Sequence, residues 1–79
     1  MPDTIIVVDD EREIAELIGL YLENDGYEVR KALTGAQALE YIESAEPALA
    51  VLDVMLPDID GFALLKKIRE KHGFPVIML

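Results

Sequence analysis

The stretch IIVVDD at residues 5–10 decides the fold, because it joins a continuous apolar run to two adjacent acids. A second run, LAVL at residues 49–52, is followed in the same way by Asp53. Continuous apolar runs of this length are typical of strands that helices cover on both faces of a parallel sheet. Two further strands are predicted, an alternating edge strand at residues 27–30 and a continuous one at residues 76–79.

Helical periodicity fills the segments between these strands. The first predicted helix ends at residues 24–26, the sequence NDG, and the second begins at Thr34, which has capping-box spacing to Gln37. The third begins after residues 60–61, carries four bases towards its C-terminus and ends at residues 72–73. The predicted apolar faces of the three helices are Ile14, Leu17, Ile18, Tyr21 and Leu22; Ala38, Leu39 and Ile42; and Phe62, Leu65 and Ile68.

The element order β-α-β-α-β-α-β predicts an α/β fold, a flavodoxin-like doubly wound parallel sheet of strand order 2-1-3-4. Such a sheet normally adds a helix and a strand after its fourth strand. We therefore expect residues 1–79 to be one incomplete domain, truncated after strand 4. An uncovered apolar strand at the sheet edge favours self-association or domain swapping.

Length, composition and charge exclude several classes of protein. The chain has 79 residues, of which 52% are hydrophobic, a net charge of −9 and no cysteine. It is too apolar to be disordered, has no apolar run of membrane-spanning length, and starts with an acid where a signal peptide is basic. These features predict a single soluble, cytoplasmic domain. The negative charge argues against direct contact with nucleic acid or with an anionic membrane.

The acids that follow the first and third strands carry the predicted chemistry. Open α/β sheets bind ligands at the switch point outside the carboxyl ends of their strands, where Asp9, Asp10 and Asp53 would converge. Three carboxylates in one crevice repel each other, and oxygen ligands suit Mg²⁺ or Mn²⁺. A carboxylate beside such a cation can attack phosphorus, so Asp53 is the candidate phosphoacceptor and the other two form the metal platform. Under a plainer alternative, Asp9 caps the first helix and Asp53 is an ordinary loop residue.

Other catalytic arrangements find little support. The turn after the first strand has no glycine, which excludes a phosphate-binding loop, and His72 is the only histidine. We expect His72 to face solvent at the C-terminal end of the third helix. The methionines and aromatic residues are expected in the core.

These motifs resemble the receiver domain of two-component response regulators. The acidic pair followed by Glu11 is similar to that family's acidic pair, and LDVMLP at residues 52–57, followed by Asp60-Gly61, resembles its phosphorylation-site signature. The resemblance is greatest to the OmpR-like, winged-helix class of transcription factors, which includes vancomycin-resistance regulators.

The resemblance implies specific roles. Asp53 would accept a phosphoryl group from a sensor histidine kinase, Asp10 would bind Mg²⁺ directly, Asp9 would act mainly through water, and the main-chain carbonyl of Met55 would complete the protein ligands. It also implies a signalling module rather than an enzyme, with the family's switch Ser/Thr, its Lys and a DNA-binding effector domain outside residues 1–79. Two alternatives remain: a half-domain with only a folding or assembly role, and a phosphatase of the haloacid-dehalogenase type, which requires Asp-x-Asp.

Overall fold

The computed structural model describes residues 2–79 as a four-stranded sheet with three helices. The elements are β1 (Thr4–Val8), α1 (Arg12–Asn24), β2 (Glu28–Ala32), α2 (Gly35–Ser44), β3 (Leu49–Leu52), α3 (Gly61–Arg69) and β4 (Val76–Met78). The strand order is β2-β1-β3-β4 and every pair is parallel, which confirms the predicted flavodoxin-like order. No helix in this part of the chain has the length and apolar character needed to cross a membrane.

The two faces of β1 contribute to two separate apolar clusters. Ile5 and Val7 pack with α1, whereas Ile6 and Val8 pack with α2 and α3. Because successive side chains of a strand point to opposite faces, a continuous apolar run is required only where both faces are covered. The helices therefore lie on both sides of the sheet, as the sequence predicts.

The buried face of α1 differs from the predicted one. Leu17 and Tyr21 are 55% and 68% exposed, while the helix buries the small residues Ala15 and Gly19. A Cβ at Gly19 would lie 2.8 Å from Cε of Lys31 and 3.4 Å from Cγ1 of Val29, so α1 packs closely on β2 at this point. Of the predicted face, Ile18 and Leu22 do pack against the core.

Smaller differences affect the other elements. In α3 the buried residues include Leu64 and Ile68, whereas Phe62 is 57% exposed, and the helix ends at Arg69 rather than at residues 72–73. β2 begins one residue later than predicted and extends to Ala32, which is buried beside β1. The expectation that methionines and aromatic residues lie in the core is wrong for several of them. The exposed members are Tyr21, Tyr27, Met55 and Phe62.

Candidate functional site

The carboxyl ends of β1 and β3 bring Asp9 and Asp53 to the same edge of the sheet. The main-chain N–H of Asp9 donates to the carbonyl oxygen of Ala32 at 3.0 Å, and that of Asp53 donates to Val8 at 2.9 Å. Both bonds continue the strand pairing by one residue. The two acids therefore start from fixed backbone positions at the switch point of the sheet.

Three carboxylates form a cluster at this edge. One oxygen each of Asp9, Asp10 and Asp53 lies within 4.8 Å of the others. Asp9 is only 4% exposed, Asp53 is half-buried and Asp10 is exposed. The structure thus brings together the three acids that the sequence singles out, and their roles remain predictions.

The electrostatics of the cluster disfavour a full set of negative charges. Burial raises the pKa of Asp9, and the neighbouring carboxylates of Asp53 and Asp10 raise it further, although the N–H of Glu11 opposes the shift. A cation placed among the three would reverse this repulsion. Carboxylate oxygens are the donors that Mg²⁺ prefers, so the donor set fits a hard divalent cation.

The plainer alternative for Asp9 does not match its contacts. The residue at the N-terminal cap of α1 is Glu11, which makes no side-chain capping bond. Asp9 instead accepts a hydrogen bond of 2.9 Å from the Glu11 N–H through its own Oδ1. It shapes the turn between β1 and α1 while its carboxylate stays in the cluster.

The loop that follows Asp53 folds back on itself. The N–H of Met55 donates to Oδ1 of Asp53 at 3.1 Å, and the N–H of Gly61 donates to the carbonyl oxygen of Val54 at 2.8 Å. An antiparallel bridge joins Met55 to Asp60. A Cβ at Gly61 would overlap the carbonyl oxygen of Asp53, so only glycine permits this close return. The side chain of Met55 is 79% exposed, and ligation by its carbonyl remains a prediction.

Two further acids of this loop hold helix N-termini. Asp60 caps α3, since its Oδ1 accepts from Phe62 and Ala63 at 2.7 and 3.3 Å. Asp58 reaches α2, where its two oxygens accept from the N–H groups of Gly35 and Ala36 at 2.9 and 3.0 Å. Sequence reasoning missed Asp58, because its partners lie more than twenty residues away and no local pattern marks them.

His72 has no part in this cluster. It lies between α3 and β4, at the edge where the strands begin, and therefore opposite the acids. The expectation that it faces solvent is wrong: its side chain is 19% exposed, and Nδ1 lies 2.6 Å from Oε1 of Glu46.

Comparison with known sequences gives one family. The family described as "Response regulator receiver domain" matches residues 5–79. Over all 79 residues the chain is 56% identical to the regulatory protein VanRc of Enterococcus gallinarum and 52% identical to the regulatory protein VanR of Enterococcus faecium. It spans 34% of the length of each of these curated relatives.

Solved structures of the same kind share the fold. A putative response regulator from Chloroflexus aurantiacus is similar with a TM-score of 0.92 at 40% identity, over 99% of this chain and 66% of that one. The chemotaxis response regulator CheY4 of Vibrio cholerae gives a TM-score of 0.95 at 28% identity, over 99% and 68% of the two chains.

Proposed function

This chain belongs to the response regulator receiver-domain family, and on that premise we propose that Asp53 accepts a phosphoryl group from a sensor histidine kinase in a Mg²⁺-dependent reaction. Receiver domains are signalling domains that bind Mg²⁺ at an acidic pocket, and response regulators receive phosphate from such kinases. The observation that carries the proposal is the convergence of Asp9, Asp10 and Asp53 at the carboxyl ends of β1 and β3.

In the proposed reaction Asp53 is the nucleophile. One of its carboxylate oxygens forms a bond to phosphorus as the P–N bond of the donor phosphohistidine breaks, and the electron pair of that bond leaves on the imidazole nitrogen. The product is an acyl phosphate. The Met55 N–H holds Oδ1 of Asp53, so the other oxygen is the one that attacks in this proposal.

The proposed metal ligands are Asp10 and Asp53 directly, Asp9 mainly through water, and the main-chain carbonyl of Met55. When bound, Mg²⁺ (or Mn²⁺) would offset the charge of the phosphoryl oxygens and of the acids. The proximity of the three carboxylates, whose oxygens lie within 4.8 Å of one another, supports a cation at this position.

We propose that the domain assists its own phosphorylation and acts as a signalling domain, without converting a separate substrate. In a longer cytoplasmic protein, residues 1–79 would be the incomplete receiver portion that controls a DNA-binding output domain. The net charge of −9 argues against direct contact of this segment with nucleic acid or membrane. No observation favours the haloacid-dehalogenase alternative, whose Asp-x-Asp motif differs from the adjacent pair Asp9-Asp10.

Beryllofluoride, a mimic of an acyl phosphate, tests the proposal without a kinase. Fluorine NMR of the chain with beryllofluoride and Mg²⁺ is expected to give a bound resonance that disappears in Asp53→Asn and on removal of Mg²⁺. The matched control is Asp25→Asn, which removes the same charge at the C-terminal cap of α1. A bound resonance that persists in Asp53→Asn contradicts the assignment.

A further inference from the structure

We propose that Asp58 is a positioning residue for phosphoryl transfer. Its carboxylate binds the N-terminal end of α2, holds the loop of residues 53–60 against that helix, and so fixes the main chain at Met55. The inference rests on the proposed function of Asp53, and it adds a residue outside the acidic cluster.

Asp58 makes the connection with both of its oxygens. Oδ1 accepts from the N–H of Gly35 at 2.9 Å and Oδ2 accepts from the N–H of Ala36 at 3.0 Å. These are the first two donors of α2, which lack partners within the helix, and the helix dipole favours a negative charge at this end. The third donor, the N–H of Gln37, is bound separately by Oγ1 of Thr34 at 3.1 Å.

A close apolar contact lies beside these bonds. Gly35 is buried, and a Cβ there would overlap Cγ2 of Ile59, so the loop and the helix approach each other as closely as a glycine permits. Ile59 also packs against the main core cluster. Asp58 and Ile59 together join the loop to α2 by a polar and an apolar contact.

The contact between Asp58 and α2 affects the reaction because of where Asp58 lies in the loop. Asp58 lies between the two ends of the bridge from Met55 to Asp60, and Met55 in turn donates its N–H to Oδ1 of Asp53. A shift of Asp58 is therefore transmitted through a short closed loop to the carboxylate orientation and to the proposed carbonyl ligand. The hydrogen bonds from Gly35 and Ala36 hold the pKa of Asp58 below its usual value, so the carboxylate is ionised at neutral pH.

The test compares Asp58→Ala with Thr34→Ala in the 79-residue chain. Both variants remove an acceptor from the first turn of α2, but only the first one releases the loop. We measure the initial rate of labelling by acetyl phosphate, the Mg²⁺ affinity from amide shifts, and the amide resonance of Met55 without any ligand. Asp58→Ala is expected to lower the labelling rate and the Mg²⁺ affinity by about three- to tenfold. This is less than the roughly 10- to 100-fold loss typical of residues that hydrogen-bond a metal ligand directly, because Asp58 acts through the loop.

Three results decide the inference. It is supported if Asp58→Ala shifts the Met55 amide and weakens Mg²⁺ binding while Thr34→Ala does neither, and if Asp58→Asn, which keeps one acceptor oxygen, is intermediate. It is overturned if the two alanine variants behave alike, or if Asp58→Asn equals Asp58→Ala, which would indicate a remote charge effect. If the wild-type chain takes no label at all, the proposed function fails, and the Met55 amide still decides whether Asp58 positions the loop.

Discussion

The main-chain N–H of Asp53 donates a hydrogen bond of 2.9 Å to the carbonyl oxygen of Val8. This bond extends the pairing of β1 with β3 by one residue, so Asp53 lies beside Asp9, which follows Val8 in the chain. The repulsion within the acidic cluster is therefore built into the strand register. A cation, or the removal of one charge, should relieve it.

Mg²⁺ is expected to stabilise the fold through this cluster. Binding to the folded state alone adds about 1.4 kcal/mol to the free energy of unfolding when free Mg²⁺ is ten times Kd. Asp10→Ala should lose most of this gain, whereas Asp25→Ala, at the other end of α1, should keep it. Thermal melts with and without millimolar Mg²⁺ measure the effect, and equal gains in the two variants would contradict the assignment of Asp10.

Asp9→Asn is expected to stabilise the metal-free protein at neutral pH. The pKa of Asp9 is raised in the folded state by burial and by Asp53 and Asp10, so its contribution to stability is present at low pH and is lost as the pH rises through the folded-state value. The variant should therefore gain stability over wild type at pH 7, and the difference should vanish below pH about 4. Each kcal/mol gained raises Tm by about 4–8 °C in a domain of this size. Thermal melts of both proteins at the two pH values, without metal, test this prediction. An Asp9→Asn variant that is less stable than wild type at pH 7 would contradict it.

Gly61→Ala is expected to damage the loop that carries Asp53. The added Cβ would overlap the carbonyl oxygen of Asp53, and crowding of this kind typically costs about 1–3 kcal/mol. At Gly73 a Cβ meets nothing within 4 Å, so Gly73→Ala is the matched control and should be close to neutral. Denaturant unfolding together with the rate of acetyl phosphate labelling measures both effects. Equal stability and equal labelling in the two variants would show that the close return at residue 61 is not required.

The sequence predicts the sheet better than it predicts the helix faces. Strands β1 and β3 are continuous apolar runs; the bounds of β3 match its run, and β1 begins one residue before its run, at Thr4. The prediction for the buried face of α1 is right only for Ile18 and Leu22, because periodicity counts large apolar residues, whereas the buried positions of this helix are Ala15 and Gly19. β2 extends to Ala32 because that residue pairs with Val8, a contact that depends on the assembled sheet.

The convergence of Asp9, Asp10 and Asp53 could be predicted because strand order alone brings the ends of β1 and β3 together. The hydrogen bonds between Asp58 and α2 could not be predicted, because they depend on how a loop without periodicity packs against a helix that is distant in sequence. The close approach of Gly61 to the carbonyl oxygen of Asp53 could not be predicted for the same reason, since it too depends on tertiary structure.

The 79-residue chain by itself is expected to self-associate. β4 pairs with β3 on one side, and within residues 2–79 no strand pairs with its other side. Ile77 and Leu79 are 51% and 53% exposed along this strand and just after it. Such an apolar edge invites pairing with another chain, and a charge on it opposes pairing. Light scattering after size exclusion should give a mass above the 8.8 kDa of the monomer, reduced by Ile77→Lys. A wild-type mass of one chain would contradict this prediction.

Labelling by acetyl phosphate in the presence of Mg²⁺ tests the central claim most directly. Intact mass followed by peptide mapping is expected to find one added phosphoryl group, on the peptide that contains Asp53, and none when Mg²⁺ is removed or in Asp53→Asn. Asp25→Asn, with the same change in charge, should label like wild type. A phosphoryl group that maps to another residue, or that is still added to Asp53→Asn, would contradict the account.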